Sequence, residues 1–106
     1  MVTFDDFLKM DLRVGEIVSA ENHPNADKLY LLKVTIGEET RQAVAGIKSS
    51  YSLEELKGKK VAVLTNLEKK EIRGELSECM VLAAQSEGKI VLIAPEADAK
   101  VGSKIK

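Results

Sequence analysis

Histidine and cysteine occur once each in this chain, as His23 and Cys79, and tryptophan is absent. A lone thiol cannot form an internal disulfide, which agrees with a reducing compartment. Metal ligands are equally scarce: the sequence has no Cys-x-x-Cys, no paired histidines and no acidic loop with a central glycine. The glycine-rich loops that cradle nucleotides are missing as well. His23 precedes Pro24 inside a cluster of turn-forming residues, where a turn role outweighs a catalytic one. Cys79 opens the apolar run Cys-Met-Val-Leu-Ala-Ala, where a small buried side chain is the default. No catalytic residue, metal or cofactor is therefore expected. The chain also lacks an apolar run near the ~20 residues a membrane helix needs. Its start, MVTFDDFLKMD, carries two acids where a signal peptide would be positive. These absences give the expectation of a soluble cytoplasmic protein with no membrane partner. Two prolines among 106 residues, 44% of them hydrophobic, point to a packed core, and the length suits one domain over 1–106.

What is present is mostly strand. Thr3-Phe4-Asp5-Asp6-Phe7-Leu8 reads as a short helix capped by Thr3, with Phe4, Phe7 and Leu8 on one face. Leu12, Val14, Ile17 and Val18 read as a strand interrupted at Gly15, where a bulge or sharp bend is expected. After the turn cluster Asn22–Asp27, Tyr30, Leu32, Val34 and Ile36 alternate in period two along a strand from Leu29 to Ile36. Gly37-Glu38-Glu39 connects it to a strand from Thr40 to Ala45. Ser52 with Glu55 three residues on, followed by Gly58, marks a one- or two-turn helix. Strands are then expected at Lys60 to Thr65, Cys79 to Ala84 and Lys89 to Ala94. Three strands, a helix and two strands make the order of the oligonucleotide-binding (OB) barrel. The fold class read here is therefore all-β. It is a five-stranded OB barrel with a short N-terminal helix, a short helix between strands three and four, and an extra C-terminal strand. An SH3-like barrel would not normally place a helix at that point. Ile90 to Ala94 is five apolar residues without alternation, so both faces of that strand are expected to be covered. A second subunit is one candidate cover and the amphipathic N-terminal helix another.

Net charge is −1, yet Lys57 to Arg73 holds six basic and two acidic residues, leaving the remainder at −5. A basic patch on an acidic body points to a positioned polyanion site. The stretch Asn66–Met80, expected as a loop, lies on one lip of the OB binding face. Lys69, Lys70 and Arg73 are the phosphate candidates there, with Asn66 and Ser77 as neutral partners. Arg73 stands out, because a guanidinium both bridges phosphate oxygens and stacks on bases, and Gly74 beside it permits close approach. The aromatics, Phe4, Phe7, Tyr30 and Tyr51, are only 4% of the chain. That gives no platform for stacking successive bases, so shape and phosphate contacts to structured RNA, with one or two extruded bases, fit better.

Five ordered segments together resemble the tRNA-binding domain family: Asp11–Gly15, His23–Tyr30, Asn66-Leu67, Arg73–Ser77 and Met80–Ala84. The likeness runs from about Phe4 to Lys106. Members of that family include the C-terminal domain of many methionyl-tRNA synthetases and stand-alone tRNA-binding proteins. The resemblance implies an OB fold that binds the outer corner or acceptor side of tRNA without strong sequence preference, as a homodimer, and in partnership with methionyl-tRNA synthetase. It implies RNA contacts from Asn66, Lys69, Lys70, Arg73, Ser77 and Met80, with Lys28, Lys33 and Arg41 secondary on the barrel face. Many relatives carry a proline after the Asn-Leu pair; this chain has Glu68-Lys69-Lys70-Glu71, whose carboxylates dilute the charge. The competing expectation is a protein-binding, dimerisation or export-chaperone adaptor module on the same fold. It draws on the acidic remainder of the chain and the apolar Ile90–Ala94 run.

Overall fold

The computed structural model describes residues 1–106. A five-stranded antiparallel sheet, in the order β3-β2-β1-β4-β7, curls into a nearly closed barrel. Its strands are β1 (Leu12–Asn22), β2 (Tyr30–Thr35), β3 (Thr40–Ala45), β4 (Lys60–Leu64) and β7 (Met80–Val81). Two hairpins extend from it: β5 (Lys70–Ile72) with β6 (Glu75–Ser77), and β8 (Ala83–Ser86) with β9 (Lys89–Leu92). The helices are α1 (Phe4–Leu8) and α2 (Leu53–Leu56).

β1 is the strand that makes a barrel of a flat sheet. Its first half pairs β4, from Leu12 opposite Leu64 to Glu16 opposite Lys60. Its second half pairs β2, from Glu16 opposite Thr35 to Asn22 opposite Tyr30. A strand that changes partner must turn, and a register shift between Ile17 and Ser19 supplies the turn. The irregularity thus falls at Val18, and the strand runs unbroken through Gly15, contrary to expectation. Gly15 serves close packing instead. A Cβ there would stand 2.8 Å from both Val34 Cγ1 and Val63 Cγ2.

Ile17, Leu32, Val34, Leu56, Val61 and Val63 fill the interior and are almost fully buried. Leu56 arrives from α2, where Ser52 caps the helix by accepting from the Glu55 amide. Gly58 ends that helix at φ +92° and donates its N–H to Ile17 O at 2.7 Å. The remaining gap lies between β3 and the β6–β7 segment, where side chains do much of the stitching. Gln42 O accepts from Glu78 N at 2.7 Å, and Gln42 N donates to Glu78 Oε1 at 3.1 Å. Val44 N donates to Ser77 Oγ at 3.1 Å. Edge amides that would otherwise be unpaired are satisfied this way.

One further expectation of the strand order needs correction. The strand expected from Cys79 to Ala84 is broken at Leu82, because pairing passes there from β4 to β9. Leu82 N donates to Ala62 O while Leu82 O accepts from Ile93 N, both at 3.0 Å. The Ile90–Ala94 run is not covered on both faces within one chain. Leu92 is buried, but Val91 and Ile93 are 47% and 44% exposed. Nor does α1 cover it: the helix has a full capping box between Thr3 and Asp6 but no buried residue. Finally, residues 102–105 lie along the first half of β1, with Val14 N donating to Ser103 O at 2.9 Å. This tail is bridged to β1 as Arg13 opposite Lys104.

Candidate nucleic-acid interface

The lip between β4 and β7 is not the expected loop. It is a second, two-stranded sheet whose turn is Arg73-Gly74, at φ 54° and 89°. Two successive positive φ values match the right-handed twist of the flanking strands. Glycine adopts such a conformation freely, whereas arginine does so at a cost of roughly 1–2 kcal/mol. The sequence hid this hairpin because Arg-Gly is not one of the strong turn signals.

The turn is held from outside. Asn25 donates its side-chain N–H to Arg73 O at 3.2 Å. The Asn25 amide donates to His23 Nδ1 at 2.9 Å, so Nδ1 is the acceptor and the imidazole proton resides on Nε2. Nε2–H then donates to Ile72 O at 2.9 Å. His23 is buried at 5% exposure, so the only histidine is a bracket between the β1–β2 turn and the hairpin tip. Its turn role was legible in the sequence; the bracket was not.

On this fixed hairpin Lys70 and Arg73 are exposed and belong to no ion pair. Lys69 is 63% exposed, with Glu78 at 3.8 Å. Met80 is exposed on β7, and Lys28 is exposed and unpaired in the β1–β2 turn. The other named residues are engaged in the scaffold. Asn66 Oδ1 accepts from Asp11 N at 2.8 Å and its Nδ2 donates to Lys9 O at 2.7 Å, tying α1 to the barrel. Ser77 Oγ accepts from Val44 N across the seam. Arg41 donates to Thr65 O and pairs with Glu39. Lys33 Nζ donates to Gln42 Oε1 at 2.8 Å.

The basic segment is also divided. Lys60 binds Asp98 at 2.7 Å and Lys59 lies over the Tyr51 ring at 5.9 Å. Both sit at the start of β4, a strand length of about 14 Å from the hairpin end. Only Lys69, Lys70 and Arg73 form the lip. Beside it, a polar recess of about 540 Å³ holds Asp11, Glu39, Glu68 and Glu78 against Arg41 and Lys69. Asp11 is held ionised there: hydrogen bonds from Arg13 and from Thr65 lower its pKa. Carboxylates outnumber cations in the recess, which disfavours an anion there. Cys79 is buried, and desolvation pushes its thiol up to about 11 despite nearby Arg41, so it is not a nucleophile at neutral pH. No group of three or more His, Cys, Asp or Glu could hold a metal ion, and no helix is long and apolar enough to cross a membrane.

The profile of the family described as "Putative tRNA binding domain" matches residues 12–104. A methionine–tRNA ligase of Thermococcus kodakarensis is 48% identical over 105 residues, 99% of this chain and 14% of that protein. The methionine–tRNA ligase 1 of Bacillus cereus is 47% identical over 99% of this chain and 16% of its own length. The chain thus spans a small part of the curated ligases it matches. Among solved structures, a MetRS related protein from Pyrococcus horikoshii has a TM-score of 0.92 at 34% identity. That match covers 100% of this chain and 98% of the other. The chaperone CsaA from Bacillus anthracis has a TM-score of 0.90 at 33% identity, covering 100% and 99%.

Proposed function

This chain belongs to the tRNA-binding domain family, and from that premise we propose that it binds tRNA by shape and phosphate contacts, without strong sequence preference. In this reading residues 1–106 act as one non-catalytic binding domain that supplies tRNA to an aminoacyl-tRNA synthetase in the cytoplasm. Methionyl-tRNA synthetase is the favoured partner, in keeping with the ligases the chain resembles. The observation that carries the proposal is the bracketed hairpin, which presents unpaired Lys70 and Arg73 beside Lys69 at the barrel lip. Lys28 and Met80 join them, whereas Asn66, Ser77 and Arg41 act by shaping the lip rather than by reaching RNA.

Tethering such a module to a synthetase makes encounter with tRNA intramolecular and raises its local concentration, leaving the chemistry untouched. We also place a homodimer interface on the apolar surface. Val91 and Ile93 are exposed on β9 and the adjoining strand end, next to a groove lined by Leu12, Val14, Ala62, Leu82, Ile93 and Ile105. Phe4 and Leu8 of α1 offer further apolar area at 72% and 54% exposure. Sedimentation of the protein at micromolar concentration tests this; a monomer would refute the interface.

The second reading is a protein-binding or dimerisation module, or an export-chaperone adaptor. Its supports are the likeness to chaperone CsaA and the carboxylate-lined recess. Titration with unfractionated tRNA and with an unstructured RNA of equal length separates the two. Tighter, salt-sensitive binding of tRNA favours the first reading; no binding at low salt favours the second.

A further inference from the structure

Gln42 of β3 is buried in the seam and engages all three hydrogen-bonding directions of its amide donors and carbonyl. Nε2 donates to Leu76 O at 2.9 Å and to Glu75 Oε1 at 3.2 Å, while Oε1 accepts from Lys33 Nζ at 2.8 Å. The Gln42 backbone holds Glu78. Gln42 O accepts from Glu78 N at 2.7 Å, and Gln42 N donates to Glu78 Oε1 at 3.1 Å. The Glu78 carboxylate is thus fixed in place by the seam. Its second oxygen, Oε2, lies 3.8 Å from Lys69 Nζ. An anchored carboxylate has already lost its rotamer freedom, so this pair costs only the ordering of the lysine.

The contact singles out one cation of the lip. Lys70 and Arg73 have no carboxylate within ion-pair distance, and Lys69 has only Glu78. The other carboxylates of the recess face elsewhere. Asp11 accepts from Arg13 and Thr65, Glu39 pairs with Arg41, and Glu68 joins no ion pair. Glu71 on the hairpin joins none either, so the two glutamates expected from the sequence to dilute the lip leave its cations free. We propose that Glu78 is a built-in competitor for Lys69, an autoinhibitory contact that an RNA phosphate displaces before Lys69 acts beside Lys70 and Arg73. The inference rests on the tRNA reading and deepens it. What Lys69 contributes to binding is then a difference between two charge-assisted contacts, one to phosphate and one to Glu78. Removing the charge of Glu78 releases the full contribution.

The test uses the whole chain and unfractionated tRNA at about 100 mM salt, where phosphate contacts still govern binding. Glu78→Gln is close to isosteric and keeps an oxygen to accept from Gln42 N; amide exchange at Gln42 and Val44 checks that the seam stays closed. The proposal expects Glu78→Gln to bind tRNA about two- to fivefold more tightly, the range of an exposed ion pair. In a Lys69→Gln background the same substitution should bring little gain, because the competition has lost its object. A residue that merely closed the seam would lower affinity or leave it unchanged. In the wild type, saturating tRNA should also move the Lys69 Cε resonance, while that of Lys60, tied to Asp98, stays in place. Unchanged affinity in Glu78→Gln, or an equal gain with and without Lys69, overturns the contact while leaving tRNA binding intact. If exchange shows the seam opened by the substitution, the wild-type resonance decides, and a Lys69 signal unmoved by bound tRNA overturns the proposal. No tRNA binding by either protein overturns the tRNA reading and the contact with it.

Discussion

Arg73 occupies a backbone conformation that suits glycine better, at φ 54°, and its neighbours keep it there. Strain of this kind collects at functional sites. Two substitutions separate the side chain from the backbone. Arg73→Gly removes the guanidinium and relieves the turn, so stability should hold or rise by about 1 kcal/mol. Binding to tRNA should weaken for all tRNA species alike, with the salt dependence falling by about one phosphate contact. Arg73→Ala should lose the same binding without the gain in stability. An effect confined to one tRNA species would contradict recognition by shape. His23 acts at the same scale without touching ligand. His23→Ala leaves the Ile72 carbonyl and the Asn25 amide without their partner, a loss of about 2 kcal/mol by urea unfolding. Amide exchange in residues 70–77 should accelerate more than in the barrel strands; uniform acceleration would mean that His23 merely fills space. The sequence identified the exposed lysines and Arg73 by type and spacing. It could not reveal that Asn66 and Ser77 spend their hydrogen bonds on the scaffold, since their partners, Asp11, Lys9 and Val44, are distant along the chain.

Strands with strict alternation were legible as elements. Tyr30, Leu32 and Val34 turn inward on β2, as their period-two spacing requires. α2 was legible through Ser52, Glu55 and Gly58. The β5–β6 hairpin was not, because only Ile72 and Leu76 among eight mostly polar residues could signal a strand pattern. Its stability comes from β3, the seam and the His23 bracket, which are tertiary features. Gly15 misled in the opposite direction. A glycine inside a strand is consistent with a bend or a close approach, and packing between Val34 and Val63 decided for the second. Gly15→Ala should therefore destabilise the barrel by about 1–3 kcal/mol through overpacking. Equilibrium unfolding measures this, and Gly15→Ala with Val34→Ala should recover part of the loss. A neutral single substitution would show that the interior yields more easily than its geometry implies.

At the scale of the molecule, acid stability draws on Asp11, whose carboxylate accepts from Arg13 of β1 and from Thr65 just after β4. Its pKa is lowered in the folded protein, so its contribution is present above its unfolded value and is lost as pH falls through the folded one. Asp11→Asn should lower stability at neutral pH, and the gap from the wild type should close as the solution becomes strongly acidic. A constant gap would assign Asp11 a role independent of its charge. Charge also orders the whole surface. A chain of net −1 presents the unpaired Lys70 and Arg73 on one lip and lines the neighbouring recess with carboxylates, which in the proposed mode steers a polyanion toward the hairpin. The most direct measurement is therefore the affinity for unfractionated tRNA from roughly 50 to 200 mM salt, with wild type beside Lys70→Ala/Arg73→Gly. The account predicts salt-sensitive wild-type binding and, in the double variant, weaker binding with a slope shallower by about two phosphate contacts. An unchanged slope would place the RNA on another face and contradict the lip as the binding site.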